Sequence, residues 1–200
     1  MKKKLLAALV AAVSFQAVGA ENVDAQQAER GYLNDGWYLG VDIIDTDVNA
    51  TNWDGASSAG EVSSTSAALA IGYNFHIADS FVVGLEAEYA HYGSFDIALK
   101  GDTAVNNLEF SAFNLNVKPQ YYFGHSGFYL GGIFGIGGVG GENKSNGSEA
   151  SGSSVLYGVE AGYAFNNNWS INAGYRTTTA EYDNADFDMD TLFLGLDYKF

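Results

Sequence analysis

The sequence predicts an all-β fold: an eight-stranded antiparallel up-and-down transmembrane β-barrel. Three observations lead there. First, the last ten residues set Leu192, Leu194, Leu196, Tyr198 and Phe200 on one side and Thr191, Gly195, Asp197 and Lys199 on the other, with Phe193 the exception. Successive strand side chains point to opposite faces, so this is a strand with one apolar face, ending on an aromatic residue. Second, the same period-two pattern recurs along most of the chain, which is rich in Gly (25), Tyr (13) and Phe (13) and has a single Pro. Third, nothing after the N-terminal region offers the ~20 consecutive apolar residues of a membrane helix, whereas barrel strands announce themselves only by weak alternation.

Residues 1–20 read as a secretory signal peptide. Lys2-Lys3-Lys4 precede the apolar run Leu5–Val13, and Val18-Gly19-Ala20 supplies the small residues of a cleavage site near Ala20. A polar leader follows over 21–35, and the barrel is expected over 36–200. Loss of the three N-terminal lysines takes the net charge from −15 to −18, which excludes nucleic acid as a partner. The chain has no Cys, so no disulfide holds the fold.

Eight segments follow in order. The first, Gly36 to about Asp47, places Trp37, Leu39, Val41 and Ile43 on one face. The second, about Val62 to Phe75, presents Ala67, Leu69, Ile71, Tyr73 and Phe75. The third, from Phe81, sets Val83, Leu85, Ala87 and Tyr89 against Gly84, Glu86 and Glu88. The fourth, from about Leu108, sets Phe113, Leu115, Val117, Tyr121 and Phe123 against Asn114, Asn116, Lys118 and Gln120. Pro119 lies in that strand and cannot donate to a ladder, so a local bulge or lost bond is expected. The fifth, Gly127 to about Gly138, is glycine-rich, with Phe128, Leu130, Phe134 and Ile136 taken as outward. The sixth, Ser153–Phe165, sets Val155, Tyr157, Val159 and Tyr163 against Gly158, Glu160 and Gly162. The seventh, from Trp169 to about Tyr182, sets Ile171, Ala173 and Tyr175 against Asn172, Gly174 and Arg176. The C-terminal strand is the eighth.

The connections alternate strictly. His76–Ser80, Gly124–Ser126 and Asn166–Asn168 are short; about 48–61, 100–107, 141–152 and 183–186 are longer on average and rich in Gly, Ser, Asn and Asp. Turns on one side of a membrane and loops on the other give this pattern, and aromatics such as Tyr73, Phe75, Tyr121, Phe123, Trp169 and Phe200 bordering the turns would form the periplasmic girdle. A soluble ligand-binding barrel would need a charged outer face. Here the face opposite the apolar one holds glycine, small residues and a few charges.

With these strands laid out, the chain resembles the small outer-membrane β-barrel proteins of Gram-negative bacteria, the group of the outer-membrane protein A transmembrane domain and outer-membrane protein X. The likeness covers about Gly36 to Phe200. Its sharpest element is Gly195-x-x-Tyr198-x-Phe200, similar to the signal read by the barrel-assembly machinery, with Phe193 where a polar residue is usual. Trp37-Tyr38-Leu39-Gly40 and Asn116 to Phe123 look like phrases of the same group. The resemblance implies a bacterial outer-membrane location, with outer-membrane lipid and lipopolysaccharide, the assembly machinery and an extracellular ligand or host surface as partners.

The facing puts Asp42, Glu86, Glu88, Glu160 and Asp197 inside the barrel with Lys118, Arg176 and Lys199. Eight strands enclose a space that side chains largely fill, so a plugged, ion-paired lumen is expected, holding the barrel's shape. Five acids against three bases would favour cations if a path opened through it. No catalytic, cofactor or metal site is expected. His76 and His125 fall in short turns, and His91 has no Ser at a catalytic spacing beside it. Gly135 to Gly141 lacks the strand-then-helix context of a nucleotide loop. Asp183, Asp186, Asp188 and Asp190 read as a solvated acidic rim rather than a Ca²⁺ or Mg²⁺ loop. The expected role is structural or surface recognition through the long loops, without enzyme activity; the alternatives are a small porin-like channel and, less favoured, a lipid-modifying barrel.

Overall fold

The structure, a computed structural model, describes residues 31–51, 62–98, 105–124, 126–144, 147–182 and 185–200. The expected signal peptide and most of the leader lie outside the described residues, as does His125. Strands β1 (Gly36–Thr51), β2 (Val62–Ala78), β3 (Phe81–Ala98), β4 (Val105–Tyr122), β5 (Phe128–Asn143), β6 (Ser148–Ala164), β7 (Trp169–Tyr182) and β8 (Ala185–Lys199) pair in chain order, and β8 returns to β1. Every pairing is antiparallel, so the barrel is closed and up-and-down.

The strands overrun the expected boundaries at the loop end. Segments 141–143 and 148–152, expected as loop, are paired strand, as are 48–51 and 185–186. Gly, Ser and Asp disfavour strands on propensity, but partners already aligned by the membrane-spanning part carry the ladder onward. Pro119 causes no bulge. It stays in register with Val83 on β3, and the β4–β5 ladder runs from Val117↔Phe134 to Gln120↔Gly131 with the two intervening pairings missing. The missing donor therefore opens a gap toward β5 alone. Register shifts occur instead between His76 and Ala78 and between His91 and Gly93. At the second, Gly93 takes a φ of 94°, a conformation that favours glycine, and the extra residue Tyr92 re-phases the strand so that Phe95 also points inward.

Outward positions form one apolar band. Ile43, Ile136, Val159, Phe134 and Phe113 are each more than half exposed, which no soluble exterior would tolerate over so large an area. At the turn end, ring pairs Trp37–Tyr73 (5.3 Å), Tyr121–Phe123 (5.1 Å), Tyr163–Phe165 (5.5 Å), Trp169–Tyr198 (4.7 Å) and Tyr198–Phe200 (5.2 Å) build the aromatic girdle. Toward the loops the band gives way to Asp45, Thr65, His91, Ser111, Thr177 and Asp190.

The interior has three tiers, and the middle one is polar apart from Ile133, which stands across Gly158 from Arg176. The loop-end tier is apolar: Ile44, Tyr92, Phe95, Phe110, Leu156, Met189 and Phe193 pack as one buried cluster, with Phe95–Phe110 and Phe110–Phe187 ring centroids 5.9 and 5.6 Å apart. Among them, Thr46 pairs with Thr191 (3.0 Å) and Tyr92 with Thr178 (3.1 Å) through their hydroxyls, while Ser154 Oγ is buried without a hydrogen-bond partner. Phe193, the residue that breaks the C-terminal alternation, belongs here. The turn-end tier is Leu33, Val82, Tyr122, Tyr129 and Ala164. Leu33 comes from a 3₁₀ turn, Gly31–Leu33, within the segment read as leader. Tyr32 stacks on Tyr122 at 5.4 Å, and Asp35 Oδ1 accepts the His76 backbone N–H at 2.6 Å, so this turn straps the mouth of the barrel.

Candidate functional site

Between the two apolar tiers, β1 contributes Tyr38 and Asp42, β3 Glu86 and Glu88, β4 Asn114, Asn116, Lys118 and Gln120, β6 Glu160, β7 Asn172 and Arg176, and β8 Asp197. Each occupies an inward position of its strand. The Lys118 ammonium sits between two carboxylates, 3.4 Å from Glu86 Oε2 and 3.0 Å from Glu160 Oε2. Glu86 also accepts from the Tyr38 hydroxyl (2.8 Å) and the Asn116 amide (3.0 Å), and Glu160 accepts from the Gln120 amide at 2.7 Å. Arg176 pairs with Glu88, which accepts from the Asn114 amide at 3.0 Å, and the guanidinium carbon lies 5.4 Å from the Phe193 ring centroid. Asp197 accepts from Asn172 Nδ2 at 2.7 Å. Two cations thus serve three carboxylates, and neutral amides and a phenol add further hydrogen bonds, while Asn114 Oδ1, Asn116 Oδ1, Asn172 Oδ1 and the Nε and Nη2 of Arg176 are buried without a hydrogen-bond partner.

Lys199 lies apart from these carboxylates. Its ammonium donates to the backbone carbonyls of Gly31 (2.9 Å), Tyr32 (3.1 Å) and Asn34, which fastens the strap to the last strand. Below the layer, Tyr38, Lys118, Gln120, Asp197 and the Asn166–Asn168 turn line a cavity of about 30 Å³, room for about two water molecules. The apolar tier lies on the loop side of this layer.

Registers explain how so many long polar side chains fit. Nearly every one lies directly across from a glycine on a neighbouring strand: Asp42 and Asn172 from Gly195, Glu86 from Gly72, Lys118 from Gly84, Asn116 from Gly135, Asn114 from Gly137, Glu160 from Gly131 and Gly174, Arg176 from Gly158, and Asp197 from Gly40. Glu88, opposite Ala70, is the exception. An absent Cβ leaves the space that the opposing side chain crosses.

At the rim, His91 lies directly opposite Ser111, a neighbour twenty residues away in sequence and invisible to local spacing, yet no hydrogen bond joins them. Glu109, Glu142 and Glu149 stand abreast on β4, β5 and β6. Lys144 bridges the first two at 3.5 and 2.6 Å, and its hydrogen bond to Glu142 raises its pKa above the ordinary lysine value. Asp188 and Asp190 accept from Thr179 (2.9 Å), Tyr175 (2.6 Å) and Thr177 (2.8 Å); Asp183 and Asn184 lie outside the described residues. Among the described residues no three His, Asp or Glu side chains converge so as to hold a metal ion.

Residues 5–200 match the family model of the outer membrane protein beta-barrel domain. No curated protein matches the chain. Among solved structures, Ail, the attachment invasion locus protein of Yersinia pestis, in complex with the heparin analogue sucrose octasulfate, is similar with a TM-score of 0.53 at 15% identity, covering 82% of this chain and 99% of that one. Neisserial surface protein A is similar at 0.49 and 18% identity, covering 82% and 97%. OprG of Pseudomonas aeruginosa follows at 0.44 and 15%, covering 82% and 96%. At such identities the likeness is one of fold.

Proposed function

The chain belongs to the outer membrane protein beta-barrel domain family, and from that premise we propose that it is a surface-recognition protein with a closed lumen, whose loop end engages cationic partners. The observation that supports a closed lumen is the apolar tier from Ile44 to Phe193, which packs as one buried cluster on the loop side of the ion-pair layer. A barrel without a path for solutes acts through its surfaces, and loops are where binding groups concentrate.

The charge of the loop end supports the choice of partner. Segments 45–61, 96–109, 142–149 and 181–190 contain fourteen Asp and Glu against Lys100 and Lys144. Ail was solved with a polyanion; a polyanion would be repelled from this rim, whereas a cationic peptide or protein surface would be drawn to it. Binding of a fluorescent oligolysine peptide to the protein in nanodiscs tests this reading. Association that weakens as salt rises, with no binding of a sulfated oligosaccharide, is expected. Binding of the sulfated ligand, or no binding of either, would contradict it.

A porin-like channel is the second reading, supported by the acidic excess of the middle tier, which would select cations. It requires the apolar tier to part. Enzyme activity has little support, since His91 and Ser111 are neighbours without a hydrogen bond. Lipid turnover lost on His91→Asn would revive it.

A further inference from the structure

We propose that Asp42, Asn172 and Asp197 form a site inside the barrel for a small alkali cation, with Na⁺ as the probe. Lys118 is engaged by Glu86 and Glu160, Arg176 by Glu88, and Lys199 by three backbone carbonyls. That leaves Asp42 and Asp197 with no basic group within ion-pairing distance. Asp42 has no hydrogen-bond partner among the described residues, and Asp197 has one neutral donor, Asn172 Nδ2. Lys118 and Arg176 act on Asp42, and Lys118 on Asp197, only from beyond ion-pairing distance, so a cation seated against the two carboxylates would add the direct pairing they lack.

The placement of the oxygens supplies the second, independent observation. Asn172 is 2% exposed, and because its amide nitrogen is committed to Asp197, its Oδ1 faces the other way, buried and without a donor. Asn172, Gly195 and Asp42 stand abreast on β7, β8 and β1. A Cβ at Gly195 would collide with both Asn172 Oδ1 and Asp42 Oδ1, so both acceptors lean over the same gap. Likewise, a Cβ at Gly40 would come within 2.7 Å of Asp197 Oδ1. Asp42 Oδ1 and Asn172 Oδ1 thus converge over Gly195 with no hydrogen bond between them, Asp197 Oδ1 stands over the neighbouring Gly40, and such an all-oxygen set is suited to a hard ion. Two carboxylates and one amide fall short of the six to eight ligands of a calcium cage, so waters would complete the shell of the ion, for which Na⁺ is the probe. The other ionisable groups facing this space are Tyr38 on β1, Glu86 and Glu88 on β3, Lys118 on β4, Glu160 on β6 and Arg176 on β7. Asp197 lines the turn-end cavity, which gives the ion its way in.

The test uses the protein folded in detergent micelles. Its urea-unfolding midpoint is measured in NaCl and in the chloride of a bulky organic cation at equal ionic strength and fixed pH, alongside sodium NMR relaxation. Na⁺ is expected to raise the midpoint and to show broadened, protein-dependent relaxation. Both effects are lost in Asp42→Asn and Asp197→Asn, near-isosteric changes that leave the packing in place, and kept in the rim control Glu149→Gln. Na⁺ effects that survive both Asn variants would overturn the proposal, as would their absence from the unaltered protein. A midpoint that responds to pH and not to Na⁺ would show instead that the pair holds a proton.

Discussion

Gly158 and Arg176 face each other across β6 and β7, and the fit between them carries more of this protein than either residue alone. A Cβ at Gly158 would lie 2.5 Å from the Tyr175 carbonyl oxygen and 2.6 Å from Arg176 Cβ. Gly158→Ala is therefore expected to lower stability by about 1–3 kcal/mol, measured by urea unfolding in micelles. Gly140→Ala on the outer face, with its nearest atom at 3.9 Å, should stay within about 0.5 kcal/mol. Lys118 bridges two buried carboxylates. Lys118→Met strands the carboxylates of Glu86 and Glu160 and should cost about 3–5 kcal/mol; a loss below 1 kcal/mol would mean that the ion-pair layer contributes little. The inward placement of these charges was legible from strand alternation. That glycines face them was not, because registers between strands decide it and no local spacing encodes them.

The strands themselves were readable from period-two patterning wherever one face was apolar and the other was not. Reading failed where both faces shared a character. Gly141–Asn143 and Ser148–Gly152 are polar or small on both sides, so they read as loop although they pair residue for residue. Conversely, Ile43 and Ile44 are both apolar, one facing outward and the other inward, and such pairs hid the apolar tier. The strap at Gly31–Asp35 was also missed, since three residues of 3₁₀ turn have no period to detect; its only local signal is Tyr32-Leu33, two apolar residues after a polar leader. Leu33→Ala is expected to loosen the strap by about 2 kcal/mol or more. Hydrogen exchange should then quicken at the His76 amide, which Asp35 holds, while amides in the middle of β4 keep their protection. Equal loss of protection everywhere would show that the strap is part of the global unfolding unit.

Across the whole molecule, the apolar band, the aromatic girdle and the polar middle tier place lipid outside and charge inside. An arginine in the band is the sharpest check on that sidedness. Val159→Arg should destabilise the protein folded into bilayers by about 2–4 kcal/mol if it reaches mid-membrane, whereas a barrel with its apolar face toward solvent would accept the change at little cost. In the proposed closed lumen the apolar tier is the barrier to conduction, because ions entering from the turn end would meet Phe110, Leu156 and Phe193 before they reached the loops. The most direct measurement of this account is conductance across a planar bilayer, using protein whose gel mobility shifts on boiling and which is therefore folded. Background current alone is predicted for the unaltered chain. Steady cation-selective currents that disappear on Glu86→Gln would contradict the closed lumen and make this barrel a channel.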